Sequence, residues 1–284
     1  MRHSLCLRIG PVAFRVGSDW AAPIATLSSL YAGYPAAAVP DFTVRLEATR
    51  HSRRWLRPQV AIGGDLTLPG ALPLPLAQGL LAAEMAMNLQ VALGWRRQLL
   101  LHASVVAKDG RAVVMTGESG AGKSTLAALL MARGWRLLGD EFALLSPTTG
   151  LLHPHPRLIS LKNESVAAVA AALPDARWGP WLRGTPKGDI RHLVPDARAL
   201  AGMDEPVRPA LLLFPRFGEA FATRPLLPSE AFVRLTQAST NYVNLGEAGF
   251  TTLMSFVTQM PAIAVDYPDG AAGVQAVEDL WAAL

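Results

Sequence analysis

The segment from Leu99 to Glu141, LLLHASVVAKDGRAVVMTGESGAGKSTLAALLMARGWRLLGDE, decides how the rest of this chain is interpreted. It contains an apolar run ending at Met115, a glycine-rich turn, a leucine-rich segment, a second apolar run and the acidic pair Asp140-Glu141. Short apolar runs bounded by turn signals are typical of buried strands, and leucines at helical spacing are typical of a helix. The segment therefore predicts the order strand, loop, helix, strand, with two acids at the end of the second strand.

The glycine-rich turn has the spacing of a P-loop, or Walker A motif. In such a loop the glycines let backbone N–H groups approach phosphate oxygens, the lysine reaches the β- and γ-phosphates, and the serine ligates Mg²⁺. The positive end of the following helix also faces the anion. The alternative, a glycine-rich turn with a stray lysine, leaves the downstream acidic pair unexplained. The predicted nucleotide-binding residues are Gly117, Glu118, Ser119, Gly120, Ala121, Gly122, Lys123, Ser124 and Thr125.

The composition is that of a globular protein with a large core. The chain has 284 residues, 51% of them hydrophobic, which suits one large domain or two modest ones. Its net charge of +4 comes from scattered arginines, which predict a solvated surface and no nucleic-acid-binding stripe. The single cysteine, Cys6, excludes an intramolecular disulfide and favours a reducing, cytoplasmic location.

Two further expectations concern membranes and domains. Arginines interrupt the apolar residues near the N-terminus, so no signal peptide is predicted. The later apolar stretches carry charges or prolines, so no membrane span is predicted. Residues 1–75 are predicted to form a small α+β N-terminal unit, and residues 76–284 the catalytic domain.

Outside the central segment, hydrophobic periodicity and turn residues predict the remaining elements. They include a strand pair around Gly10, a helix over 20–32, a strand over 42–48, a hairpin turning at 63–65 and a helix over 75–93. Residues 177–194 lack regular periodicity and are rich in glycine, proline and basic residues. They are interpreted either as a functional loop near the site or as an ordinary basic surface loop. Residues 231–235 fit a strand or a helix.

Three features of the central segment together resemble the catalytic domain of the HPr kinase/phosphorylase family. They are His102-Ala103-Ser104 on the strand two before the loop, the Gly-x-Ser-Gly-x-Gly-Lys-Ser loop, and an acidic pair that follows Ser124 by only sixteen positions. The overall layout is most similar to HprK-related kinase A. The resemblance implies an α/β fold with a P-loop kinase core of the HPr kinase/PEP carboxykinase type, preceded by the small α+β unit.

The resemblance also implies a role for each matching residue. Asp140 would act as the base that takes the proton from the acceptor hydroxyl, and Lys123 would contact the phosphates. Ser124 and Glu141 would hold Mg²⁺, although a glutamate reaches further than the aspartate usual there. His102 would hydrogen-bond the acidic pair; the alternative for it is a satisfied core histidine. The implied ligands are therefore ATP and Mg²⁺.

The chain departs from the family pattern at one later motif. Trp181-Leu182-Arg183-Gly184 has tryptophan where the family has glutamate, so one expected carboxylate is absent from that position. Arg183 and Lys187 are still expected to contact phosphate. The implied partners are a small protein or peptide substrate, such as a PqqD-associated peptide system, and further copies of the chain in a homo-oligomer.

These observations favour an ATP-dependent transferase that phosphorylates a serine-type hydroxyl of a protein or peptide. The alternative is a nucleotide-binding regulatory or scaffold protein with little or no transfer activity, which the missing glutamate favours and the retained Asp140 and Lys123 oppose. A motor or transport ATPase would require arginine-finger and oligomer signatures that are not found in the sequence.

Overall fold

The computed structural model describes residues 2–284, which form a mixed α/β fold with three β-sheets. The first sheet lies in the N-terminal part and has five strands in chain order, with two helices packed on it. Its strands are β1 (His3–Ile9), β2 (Val12–Ser18), β3 (Phe42–Ala48), β4 (Gln59–Gly64) and β5 (Leu74–Pro75), and its helices are α1 (Ala21–Leu30) and α2 (Gly79–Gly94). The predicted strand pair, both helices and the strand over 42–48 are confirmed. The predicted hairpin turn at 63–65 is wrong, because Gly63 and Gly64 lie within β4 and the strand that returns along β4 is β5.

Helix α2 is the most apolar long helix of this part. Together with the 3-10 turn that precedes it, Leu76–Gly94 is the one helix among residues 2–284 with the length and hydropathy to cross a membrane. In the fold, 61% of that segment is buried, and α2 packs on β3 and β4. Its apolar character is therefore used to cover the first sheet.

The rest of the chain forms a large mixed sheet and a small one. The remaining strands are β6 (Leu99–Lys108), β7 (Arg111–Thr116), β8 (Arg136–Gly139), β9 (Phe142–Leu145), β10 (Leu152–His153), β11 (Ile159–Lys162), β12 (Leu182–Thr185), β13 (Gly188–Leu193), β14 (Arg208–Phe217), β15 (Ala222–Pro225) and β16 (Ala262–Tyr267). The large sheet has the order β10-β9-β6-β7-β14-β16-β15, and β8 also pairs with β6. The small sheet has the order β11-β13-β12.

Helices cover both faces of the large sheet. They are α3 (Lys123–Ala132), α4 (Glu164–Ala172), α5 (Ala197–Ala201), α6 (Pro228–Ala238), α7 (Tyr242–Thr258) and α8 (Gly270–Ala282). One core lies between the sheet and α3, α4 and α8, and the other between the sheet and α6 and α7. Trp135 and Trp281 meet edge to face in the first of these cores, with ring centroids 4.9 Å apart. Helix α3 contacts β6 and β8 of the large sheet and packs between α4 and α8.

The structure decides two later segments for which the sequence left alternatives open. Residues 177–194 contain the β12–β13 hairpin, which their irregular composition did not indicate. The pairing of the two strands has a register shift, and Gly184 and Gly188 have positive φ. Residues 231–235 belong to α6. The domain boundary at residue 75 stays a prediction: the core of the first sheet continues into Phe142 and Leu158.

Candidate functional site

Strand β6 brings the glycine loop and the acidic pair together. It pairs antiparallel with β7 on one side and with β8 and β9 on the other, so β7 and β8 run in the same direction. The carboxyl end of β7 leads into residues 117–122, and the carboxyl end of β8 leads into Asp140. The strand-loop-helix-strand order predicted from the sequence is confirmed, and its two functional ends meet at one edge of the sheet.

The glycine loop, defined here as Gly117–Ser124, depends on backbone conformations that favour glycine. Gly117, Gly120 and Gly122 have φ of 154°, 91° and 88°. The Lys123 ammonium lies within the loop and donates to the carbonyl oxygens of Gly117 at 2.7 Å and Glu118 at 2.8 Å. The loop therefore closes around a buried cation at the N-terminus of α3.

Gly122 is the most constrained of these glycines. A Cβ built on it would lie 2.3 Å from the Tyr267 hydroxyl and 3.1 Å from Phe217 Cβ. Gly122→Ala is expected to lower the free energy of unfolding by about 2 to 4 kcal/mol, because it adds this clash to a left-handed φ that costs roughly 1–2 kcal/mol. Denaturant unfolding measures the change.

A matched variant separates the clash from the backbone cost. Gly110 also has positive φ, and a Cβ built on it meets nothing within 4 Å. Gly110→Ala should therefore lower the free energy of unfolding only by the cost of the left-handed backbone conformation. In the background Tyr267→Phe, which removes the clashing oxygen, the cost of Gly122→Ala should approach that of Gly110→Ala. Equal costs at Gly122 and Gly110 in the wild-type background would contradict the close contact with Tyr267.

Asp140 is buried beside the loop and lies opposite Ser104. The pairs Val105–Gly139 and His102–Phe142 fix a register that places Ser104 across from Asp140, and the Ser104 hydroxyl donates to Asp140 Oδ1. Only 2% of Asp140 is exposed, and its Oδ2 is buried with no hydrogen-bond partner among the described residues. One carboxylate oxygen of Asp140 is therefore hydrogen-bonded to Ser104, and the other is free to bond a ligand.

The environment raises the pKa of Asp140 to about 6. Burial is the main cause and the charge of Glu141 adds to it, while the Ser104 and Ser124 hydroxyls and the Lys123 ammonium act in the opposite direction. A carboxyl group with a pKa near 6 can take up and release a proton near neutral pH. The influence of Lys123 and Ser124 also shows that the glycine loop and Asp140 share one electrostatic site.

Glu141 and His102 form a second contact at the same edge. Glu141 has a φ of 85°, a left-handed conformation that is rare for a residue with a side chain and is often found at functional sites. His102 Nδ1 lies 3.1 Å from the Glu141 carbonyl oxygen and 3.5 Å from Glu141 Oε2. Burial lowers the pKa of His102, which favours the neutral ring with Nδ1 donating to the carbonyl.

Two further lysines act on groups of the site. Burial is the main cause that lowers the pKa of Lys123, and the charge of Lys162 lowers it further, while Asp140 and Glu141 raise it. The charge of Lys187 likewise lowers the pKa of His102. Lys162 ends β11 and was not singled out in the sequence, since a lysine at a strand end carries no local signal.

Few side chains at this edge of the sheet carry oxygen atoms suited to a metal ion. No group of three or more His, Cys, Asp or Glu side chains that could hold a metal is found in residues 2–284. Mg²⁺ bound with nucleotides needs only one or two protein oxygens, because phosphate and water complete its octahedron. The Ser124 hydroxyl, which acts on the pKa of Asp140, and the Glu141 carboxylate both lie at this edge of the sheet.

Arg183 is oriented differently from the other predicted site residues. Its guanidinium donates to Asp189 at 2.6 Å and stacks over the Trp181 ring at 4.6 Å. The described contacts thus assign Arg183 to the β12–β13 hairpin, and its proposed phosphate contact stays a prediction. Residues 117–125, His102, Asp140 and Glu141 do lie at one edge of the sheet.

Comparison with known proteins gives one partial similarity. A family model described as SynChlorMet cassette protein ScmC matches residues 80–166, under a third of the 284 residues. The matched segment runs from α2 into the first turn of α4, so it contains the glycine loop, Ser104 and the acidic pair. No curated protein matches the chain.

Proposed function

We propose that this chain is an ATP-dependent kinase that transfers the γ-phosphoryl group to a serine-type hydroxyl of a protein or peptide. The observation that carries the proposal is the proximity of two groups on either side of β6. Lys123 lies in a glycine loop suited to an oligophosphate, and the buried Asp140 has a raised pKa and one oxygen without a partner. Phosphoryl transfer requires mainly positioning and electrostatic stabilisation, for which these groups suffice.

Each residue then has a defined task. Asp140 Oδ2 accepts the proton of the acceptor hydroxyl as that oxygen bonds to the γ-phosphorus, and the bond from phosphorus to the β,γ-bridging oxygen breaks to release ADP. Lys123 balances negative charge on the phosphates, and Ser124 with Glu141 would hold Mg²⁺. Mg²⁺, when bound, supplies charge neutralisation across the β- and γ-phosphates. His102 keeps Glu141 in its left-handed conformation.

Ser104 is expected to set the pH range of the reaction. Because its hydroxyl stabilises the ionised form of Asp140, Ser104→Ala should raise the pKa of Asp140. The acid limb of the kcat/KM profile, where the base becomes protonated, should therefore move to higher pH by about one unit, the equivalent of one hydrogen bond. Ser104→Thr retains the hydroxyl and should keep the limb in place, and an unchanged limb in Ser104→Ala would contradict this role.

The direct test is transfer of labelled γ-phosphate from Mg-ATP to small proteins and peptides encoded beside this gene. Label on a serine of one candidate, lost in Asp140→Asn, would support the kinase and identify its substrate. The proposed partners are of the PqqD-associated kind suggested by the resemblance, and a homo-oligomer in the cytoplasm is proposed on the same basis.

The regulatory or scaffold alternative has one observation in its favour. Trp181 occupies the position of the family's glutamate, and the neighbouring Arg183 is engaged with Asp189. A scaffold should bind Mg-ATP tightly but transfer no phosphate to any candidate. Asp140→Asn should leave its affinity for partners unchanged. Tight binding without transfer to any candidate would therefore favour the alternative.

A further inference from the structure

The wall of the glycine loop opposite the acidic pair carries an exposed aromatic ring. Phe217 is the last residue of β14, and 53% of it is exposed. Its ring meets Tyr267 edge to face, with centroids 5.8 Å apart. One edge of the Phe217 ring is thus fixed by a buried neighbour while a large part of the ring remains at the surface.

The end of β14 lies directly against the loop. A Cβ built on Gly122 would be 3.1 Å from Phe217 Cβ, and one built on Gly117 would be 3.6 Å from the Pro215 carbonyl oxygen. The Tyr267 hydroxyl lies 3.4 Å from the Ala121 carbonyl oxygen. Phe217 is therefore part of the same site as the loop.

The sheet order places Phe217 and the acidic pair on opposite sides of the loop. Strand β7, which leads into the loop, has β6 on one side and β14 on the other. Asp140 belongs to the β6 side, whereas Phe217 belongs to the β14 side. With a terminal phosphate between Lys123 and Asp140, β14 lies on the side of the loop away from the acidic pair.

We propose that the Phe217 ring is the stacking platform for the nucleobase of the bound nucleotide. This inference rests on the proposed nucleotide-dependent function. An exposed aromatic face recognises any base through its π surface, and such stacking is sequence-tolerant.

The polar side chains next to Phe217 on β14 and β16 bond to each other or to the loop. Arg216 and Asp266, which flank it on β14 and β16, form an ion pair at 2.7 Å. Tyr267 is buried, and its hydroxyl lies under the loop. The Phe217 ring is thus an exposed apolar surface beside the loop on which a base can stack.

Binding of two ligands to the full chain tests the proposal. Mg-ATP and Mg-tripolyphosphate share the phosphate chain, and only ATP has a base, so titration calorimetry with both isolates the contribution of the base. The wild type should bind ATP at least about fivefold more tightly than tripolyphosphate, the low end expected for one stacked base. Phe217→Leu, which keeps apolar packing against Tyr267 but has no ring, should lose this preference and bind tripolyphosphate as the wild type does.

A matched control and a conservative variant complete the experiment. Phe250, on α7, is exposed to a similar extent (49%), and Phe250→Leu should keep the ATP preference. Phe217→Trp should keep or increase it. If both ligands bind equally to the wild type, or if Phe217→Leu retains the preference, the stacking role is overturned while phosphate binding by the loop stands. If neither ligand binds, the proposed function fails and this inference fails with it.

Discussion

Asp140→Asn should reduce phosphoryl transfer by two to four orders of magnitude while Mg-ATP binding changes little. Asparagine keeps the size of the side chain and its contact with Ser104 but cannot accept a proton, and general-base catalysis contributes about 10²- to 10⁴-fold. Lys123 and the glycine loop, which are expected to provide the binding energy, are unaltered. Single-turnover transfer and equilibrium nucleotide binding measure the two quantities separately.

The same variant should be more stable than the wild type at neutral and higher pH. Because the pKa of Asp140 is about 6 in the folded state and near 3.8 when unperturbed, the folded state holds this proton more tightly than the unfolded state. The stability that this proton provides is fully present below pH 3.8 and is lost as the pH rises through 6. Asp140→Asn should therefore gain roughly 2 to 3 kcal/mol at pH 8 and almost nothing at pH 4.

A surface aspartate provides the opposite control. Asp204 is exposed, and its hydrogen bonds with Arg8 lower its pKa, so its ionised form is favoured in the folded state. Asp204→Asn should bring no gain at pH 8. A variant Asp140→Asn that is less stable than the wild type at pH 8 would show that the charge on Asp140 is compensated in the folded protein, and it would weaken the assignment of Asp140 as a base.

The elements that the sequence predicted best are those with local signals. The glycine loop, α3 and the acidic pair each depend on neighbouring residues: glycines for positive φ, leucines at helical spacing, and acids directly after an apolar run. All three lie where the pattern predicted. The β3 strand was equally accessible, because Phe42, Val44 and Leu46 alternate with polar residues and are buried.

The parts of the site that the sequence did not reveal depend on strand register and sheet order. Ser104 faces Asp140 because β6 pairs with β8 and β9 in one particular register. Phe217 reaches the loop because β14 is inserted next to β7 nearly a hundred positions later in the chain. Neither of these contacts produces a pattern in the residues that surround Ser104 or Phe217 in the sequence. The β12–β13 hairpin was hidden for a similar reason, since its pairing with β11 organises residues of irregular composition.

The first sheet is joined to the site region by a buried ion pair. Arg157, in the segment between β10 and β11, donates to Glu84 Oε2 on α2 at 2.5 Å, and both side chains are buried. The hydroxyl of Tyr31, the residue that follows α1, donates to the other oxygen, Glu84 Oε1, at 3.0 Å. His155, two residues before Arg157, forms a bridge with Gly139, the residue before Asp140. The His155 ring also bonds the Ile9 carbonyl oxygen, so the segment around His155 links the first sheet to the strand that ends at the acidic pair.

Arg157→Met should accordingly be among the most destabilising single substitutions in the chain. It leaves the buried Glu84 carboxylate without its cation, which typically costs about 3 to 5 kcal/mol. The double variant Arg157→Met, Glu84→Leu removes both charges and should recover most of that loss, because a buried ion pair is often replaceable by apolar side chains. Arg224→Met, which breaks the exposed pair with Glu230, should cause no measurable change in denaturant unfolding.

The unfolding transition of Arg157→Met also tests whether the two parts of the chain fold as one unit. Since the core of the first sheet continues into Phe142 and Leu158, tryptophan fluorescence and far-UV circular dichroism should report one coincident transition, shifted to lower denaturant. Two separated transitions, with only the first shifted, would instead show that residues 1–75 and the α2 helix unfold independently of the glycine-loop region. In that case the contact between His155 and Gly139 would position Asp140 without the support of the N-terminal sheet.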